Sequence, residues 1–228
     1  QNDVLEVQQV LHNLRRNLLT NAIEYDNARG EERVIEGNQL DLMTTDFAVN
    51  HNVYIPENRM KFAVQFVANQ NQYCPIRQYL DKCERNEPHE DWEQMGTVFL
   101  GNDDPLTNLT LQRMMIGAVA RCYEPGCDMS WLPILVGPQG AGKSMFARSL
   151  VPEKLFSEVT VPLEVLAKEQ YRLHMSWLLE LPEIDHFFSR KNIEHFKNMV
   201  TTRVDEVRFP YAPLPQKMQR RFVMIGTT

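Results

Sequence analysis

Gly137, Gly142, Lys143 and Ser144 stand at the spacing G-x-x-x-x-G-K-S, inside the run Gly137-Pro138-Gln139-Gly140-Ala141-Gly142-Lys143-Ser144. Residues of these types at this spacing bind phosphate. The glycines let backbone N–H groups turn inward around phosphate oxygens, the lysine reaches the β and γ phosphates, and the serine hydroxyl can hold Mg²⁺. The flanks agree with that chemistry. Trp131-Leu132-Pro133-Ile134-Leu135-Val136 is a short apolar run, as expected of a buried parallel strand. Met145-Phe146-Ala147-Arg148-Ser149-Leu150 is compatible with a helix whose N-terminus favours phosphate. The expected nucleotide-binding set is Gly137, Pro138, Gln139, Gly140, Ala141, Gly142, Lys143, Ser144 and Met145, with ATP and Mg²⁺ as ligands.

A second signal lies downstream. Ser176-Trp177-Leu178-Leu179-Glu180-Leu181 is an apolar run that ends in a carboxylate. Phosphate-loop hydrolases deliver an acidic residue to the Mg²⁺ shell from a neighbouring strand, and Glu180 suits that role. Glu183 and Asp185 follow it, and either could polarise an attacking water. An apolar run ending in Glu is common, so the alternative is that these are surface acids on a loop.

These groups need elements to hold them. Residues 4–21 carry Val4, Val7, Leu11, Leu14 and Leu18, a helical apolar stripe. Ala22–Asp26 and Arg33–Glu36 flank the turn-rich Asn27-Ala28-Arg29-Gly30 and predict a β-hairpin. Helices are expected over 39–50, over 57–70 after Pro56, from Cys74-Pro75 onward, and over Leu106–Tyr123, stopped by Pro125-Gly126. Residues 85–104 are polar and acidic around Trp92, and end in a loop at Gly101-Asn102-Asp103-Asp104. Phe222–Thr228 reads as a third buried strand. The expected organisation is a mainly helical N-terminal region with a small hairpin (1–72), a helical lead-in (73–130) and an α/β phosphate-loop core (131–228).

Composition sets limits. The chain has 228 residues, a formal net charge of −6 and four cysteines. No apolar run approaches the roughly 18 residues of a membrane span, and the first residues do not form a signal peptide. Cys74, Cys83, Cys122 and Cys127 lack C-x-x-C spacing and are read as reduced structural thiols rather than disulfides or zinc ligands. The acidic balance excludes a broadly basic nucleic-acid coat. Charge is uneven, however: residues 190–221 hold Arg190, Lys191, Lys197, Arg203, Arg208, Lys217, Arg220 and Arg221 against Glu194, Asp205 and Glu206. A local basic segment suits contact with a phosphate backbone, or equally a solvated face with its own ion pairs.

In order, the phosphate loop, Leu179-Glu180-Leu181-Pro182-Glu183-Ile184-Asp185, Thr201-Thr202-Arg203-Val204-Asp205-Glu206-Val207-Arg208-Phe209-Pro210-Tyr211 and Arg220–Thr228 resemble the virulence-associated protein E family. Its members are helicase-like ATPases of phages, plasmids and genomic islands, related to superfamily 3 helicases and often joined to a primase. The resemblance is strong from about residue 73 to 228 and weaker before that. It implies a RecA/AAA-like phosphate-loop NTPase core with Lys143, Glu180 and Glu183 catalytic, Ser144 and Glu180 at the metal, and Lys197, Arg203 and Arg208 toward nucleic acid. Arg208 could instead be structural or serve a neighbouring subunit's nucleotide. The implied partners are single-stranded or primer-template DNA, further copies in a hexameric ring and a primase, with no membrane. The implied setting is the cytoplasm of a bacterial or phage-infected cell. The family motif continues past Gly226-Thr227-Thr228 with a γ-phosphate-sensing Asn and arginine-finger elements, so a C-terminally truncated core with poor hydrolysis is expected. Two rival readings remain: a signalling or defence ATPase switch, and a nucleotide-binding module without turnover.

Overall fold

The computed structural model describes residues 2–27, 29–35, 39–85, 90–188, 192–209 and 214–228. The chain divides into two compact units, residues 1–75 and 76–228.

The first unit begins with α1 (Asn2–Val10), β1 (His12–Asn17), β2 (Ile23–Asp26) and β3 (Glu32–Val34). It continues with α2 (Gln39–Asn50), α3 (Glu57–Gln70) and β4 (Gln72–Tyr73). The expected hairpin forms as the antiparallel pair β2–β3; Ala28 and Glu36 of that prediction lie outside the described residues. The helical stripe over 4–21 is corrected. Helix α1 stops at Val10, and β1 is central in a four-stranded sheet of order β3-β2-β1-β4. The expected small hairpin is therefore enlarged to a four-stranded sheet, beside which α1, α2 and α3 still hold the larger share of residues. The misleading signal has a physical source. Asn13 takes φ +53°, and the register slips by one residue between His12 and Arg15. The extra residue lets Leu11 and Leu14 both reach the core of this unit. A spacing of three, which a helix would produce by its turn, arises here from a bulge in a strand.

The second unit opens with α4 (Pro75–Cys83), α5 (Met95–Leu100) and α6 (Pro105–Tyr123). Helix α6 starts where Asp104 accepts from the Leu106 N–H (2.9 Å) with Pro105 in the first turn. The polar segment after residue 85 proves partly helical, because α5 packs against α6. Gly96 sits so close to α6 that a side chain there would strike Thr107 and Asn108. Then follow β5 (Ile134–Leu135), α7 (Lys143–Ser149), β6 (Phe156–Glu158), α8 (Leu163–Lys168) and β7 (Leu178–Leu181). The chain closes with α9 (Ile193–Thr201), β8 (Val204–Val207), β9 (Gln216–Gln219) and β10 (Val223–Thr227).

Strands β5, β10, β7 and β6 form a parallel sheet in that order. The expected strand at Trp131–Val136 is corrected in two respects. Only Ile134 and Leu135 pair, and they do so at the sheet edge, where Ile134 is 38% and Val136 80% exposed. Strands β7 and β10 are central and fully buried. Alternation along them sorts the side chains. Leu179, Leu181, Phe222 and Met224 join a core with Leu163, Leu166, Phe196 and Met199 of α8 and α9. Glu180 and Thr227 fall on the opposite parity, since Ile225 is opposite Glu180. Gly226 lies on the core parity. A Cβ there would land on Ile184, so the close approach requires glycine.

Strands β8 and β9 form a separate antiparallel hairpin. Its root is fixed by a buried ion pair. Arg220 Nε and Nη2 donate to Asp205 at 2.6 and 2.7 Å, and His174 Nε2 lies 2.9 Å from the same carboxylate. Burial alone would raise the Asp205 pKa. Hydrogen bonds from His174 and Arg220, with the guanidinium charge, outweigh it and hold the carboxyl below its usual value. The resulting stabilisation is present above the unfolded carboxyl value of about 4. It is lost as pH falls through the lower folded value. Asp205→Asn should lower stability by about 3–5 kcal/mol, the usual effect of breaking a buried pair. Denaturant titrations at successively lower pH should also show that the variant has lost part of the wild-type acid sensitivity. An unchanged acid limb would contradict this account.

Candidate nucleotide-binding site

The loop between β5 and α7 turns on two glycines in the left-handed region, Gly140 and Gly142, both at φ +81°. A side-chain-bearing residue would be strained at either. Lys143 Nζ donates to the carbonyls of Gly137 (2.7 Å) and Pro138 (2.8 Å), so its ammonium lies across the loop. Ser144, one residue on, points its hydroxyl into the sheet and donates to Glu180 Oε1 at 2.6 Å. Thr227 donates to the same oxygen at 2.7 Å. Three elements thus converge on one carboxylate: α7, β7 and β10.

Glu180 is fully buried, and its second oxygen, Oε2, has no hydrogen-bond partner among the described residues. An unpaired buried carboxylate oxygen is costly, so a site of this kind calls for a cation or donor. A serine hydroxyl, a carboxylate and phosphate oxygens are the hard oxygen donors that Mg²⁺ takes. The residues present therefore fit the metal that the motif implies.

A cavity of about 610 Å³ opens over this cluster, lined by the loop from Gly137 to Met145 without Pro138, and by Pro182, Glu183, Thr227 and Thr228. Glu183 is at φ +48°, a left-handed conformation uncommon for a residue with a side chain. The tight turn after β7 holds it there, at the cavity wall, with its side chain 82% exposed and 3.2 Å from His186 Nε2. Asp185 does not line the cavity; Thr228 Oγ1 donates to its carboxylate. Of the expected set, Lys143, Ser144, Glu180 and Glu183 gather at one place. Pro138 faces an adjoining cavity instead. Thr227 and Thr228 carried no assigned role in the sequence. Their signal was their place in the family-like Gly226-Thr227-Thr228 that closes an apolar strand.

The basic segment disperses. Asp205 and Arg220 are internal, and Arg221 Nη1 donates to the Cys122 carbonyl. Arg203 is exposed, but its Nε donates to the Gly126 carbonyl at 2.6 Å. Lys197 on α9 is exposed, 3.5 Å from Glu194. Arg208 is exposed just beyond β8, and Lys217 on β9 stands opposite Glu206. Arg190, Lys191, Pro210 and Tyr211 lie outside the described residues. Among the described residues, no helix is long and apolar enough to cross a membrane.

A family model described as the virulence-associated protein E-like domain matches residues 80–228. No curated protein matches the sequence. Solved structures of the NrS-1 C-terminal region are similar. One apo structure superposes with a TM-score of 0.54 at 11% identity, covering 100% of this chain and 57% of that one. An A-form apo structure gives 0.51 at 12% identity, covering 94% and 53%. The chain thus spans a little over half the length of those structures. At such identity the likeness is one of fold.

Proposed function

Because the chain belongs to the virulence-associated protein E-like domain family through residues 80–228, we propose that it is the ATPase part of a replication helicase of a phage, plasmid or other mobile element. In this reading residues 131–228 are a RecA/AAA-like phosphate-loop core that binds ATP and Mg²⁺. Full-length copies associate in a ring, with ATP between subunits and single-stranded DNA in the channel. The observation that carries the reading is the Ser144–Glu180–Thr227 cluster beneath the phosphate loop, with one buried carboxylate oxygen left unpaired.

Each residue then has a task. Loop N–H groups from Gly137 to Ser144 receive phosphate oxygens. Lys143 exchanges the carbonyls of Gly137 and Pro138 for the β and γ phosphates. Ser144 Oγ and Glu180 would hold Mg²⁺, which when bound would neutralise charge that builds on the phosphates during transfer. Thr227, bonded to Glu180 Oε1, keeps that carboxylate in one rotamer. Glu183, exposed at the cavity wall, orients the attacking water and accepts its proton. Phosphoryl transfer needs little else from the protein beyond positioning and charge.

The basic residues that remain outward, Lys197, Arg203 and Arg208, are assigned to DNA phosphates. ATP turnover stimulated by single-stranded DNA tests the reading. An ATPase switch of the same fold would turn over ATP without that stimulation. Arg208→Ala should weaken DNA binding at all sequences and reduce the slope of log affinity against log salt by about one. ATP affinity should stay as it was. An unchanged salt slope would remove Arg208 from the DNA path and favour a structural or intersubunit role.

A further inference from the structure

A second cavity, of about 800 Å³, lies on the other flank of the phosphate loop. It shares Gly137, Ala141, Gly142, Lys143 and Met145 with the first. Its other walls differ in kind. Phe99 and Leu100 of α5, Val136 after β5 and Phe146 of α7 make it apolar and aromatic. Asn102 and Thr107 add neutral polar groups. Among the described residues, Lys143 is the only charged side chain on its wall, and no carboxylate is present. The phosphate cavity, by contrast, carries Glu183 and the hydroxyls of Ser144, Thr227 and Thr228.

The apolar groups are exposed in a way that asks for a ligand. Phe99 is 53% and Met145 74% open to water, and the Phe99 and Phe146 rings tilt toward one another at 6.4 Å between centroids. An exposed aromatic surface at a cavity mouth gains by burial against a flat apolar ring. Nucleotide geometry sets a second condition. Base and triphosphate are joined through one ribose, so a base subsite must adjoin the phosphate subsite and lack its carboxylate. The five shared residues meet the first condition, the absence of Glu183 from the second cavity's lining meets the second, and Met145, next to the metal-side Ser144, lines both cavities. Asn102 Oδ1 accepts from the Asp104 N–H at 3.0 Å, which fixes the amide. Its nitrogen can then donate to a ring nitrogen.

We propose that this cavity is the nucleobase subsite. A purine ring stacks on Phe99 between Met145 and Phe146, and Asn102 and Thr107 read its edge. The assignment rests on the phosphates lying on Gly137–Ser144, and the test separates the two. Calorimetry with Mg²⁺ would compare ATP with inorganic triphosphate, which has no base. Phe99→Ala should weaken ATP about tenfold, within the range of base–aromatic stacking, and leave triphosphate affinity unchanged. Phe99→Trp should retain ATP binding. Phe99 is more than half exposed, so truncation opens no core cavity, and an unchanged melting temperature confirms an intact fold. Lys143→Ala should weaken both ligands. If Phe99→Ala affects neither ligand, or both equally, while Lys143→Ala weakens both, the subsite is wrong and the phosphate site stands. If Lys143→Ala affects neither ligand, the phosphate site fails and this subsite with it. A Phe99→Ala protein of lower sedimenting mass would make the patch an interface between copies and overturn the assignment.

Discussion

Lys143→Ala is expected to bring ATP·Mg²⁺ binding below detection at concentrations that saturate the wild-type protein. The lysine ammonium is the charged donor nearest the expected β and γ phosphates, and among the described residues it rests on two loop carbonyls. A hydrogen bond to a charged group contributes about 1.5–3 kcal/mol, so two of them amount to about 10²–10⁴ in affinity. The fold should not suffer. The side chain is not part of either hydrophobic core, so the melting temperature of the nucleotide-free protein should hold. Calorimetric titration of both proteins decides the matter. Comparable affinities would mean that this loop does not hold the nucleotide.

Glu180→Gln is expected to separate stability from activity. The amide keeps the shape of the carboxylate, and its oxygen can still accept from Ser144 and Thr227. What it removes is the second anionic oxygen, the one without a partner. In the full-length protein turnover should fall about 10²–10³-fold, the range seen when one preorganised electrostatic group is lost from a water-excluded site. Nucleotide affinity measured without Mg²⁺ should change little. Stability should hold or rise, because an uncharged amide without a partner is less costly to bury than a carboxylate without one. Wild-type turnover together with wild-type Mg²⁺ dependence in this variant would falsify the metal-side role of Glu180.

The phosphate loop could be read directly because its chemistry is local. Eight consecutive residues carry the glycines, the lysine and the hydroxyl, and no distant contact is needed to interpret them. Glu180 was marked more weakly. An apolar run ending in Glu is common, and only the structure shows that its strand is buried on both faces, where a carboxylate needs an explanation. The basic segment could not be apportioned from the sequence, because net charge ignores direction. Asp205 and Arg220 neutralise one another inside the hairpin root, and Arg203 and Arg221 spend donors on main-chain carbonyls. The N-terminal sheet was hidden by the bulge at Asn13, which gave a strand the spacing of a helix.

The sequence by itself marked which groups are candidates to meet phosphate, because those groups are contiguous and their backbone requirements are met by glycine. Only the tertiary structure decided what completes the site. Thr227 is 47 residues from Glu180, and the motif that contains it does not say what it touches. It reaches the carboxylate because β10 lies beside β7 in parallel, with Ile225 opposite Glu180. Strand parity then turns Glu180 and Thr227 to the same face, while their neighbours Leu181 and Gly226 face the other way, toward Ile184. The same holds for Phe99, which meets Phe146 only because α5 packs on α6 beside the loop. Sequence spacing sets which side chains a strand can turn to one face; pairing order and register, set by the packing of the whole unit, decide which of them touch.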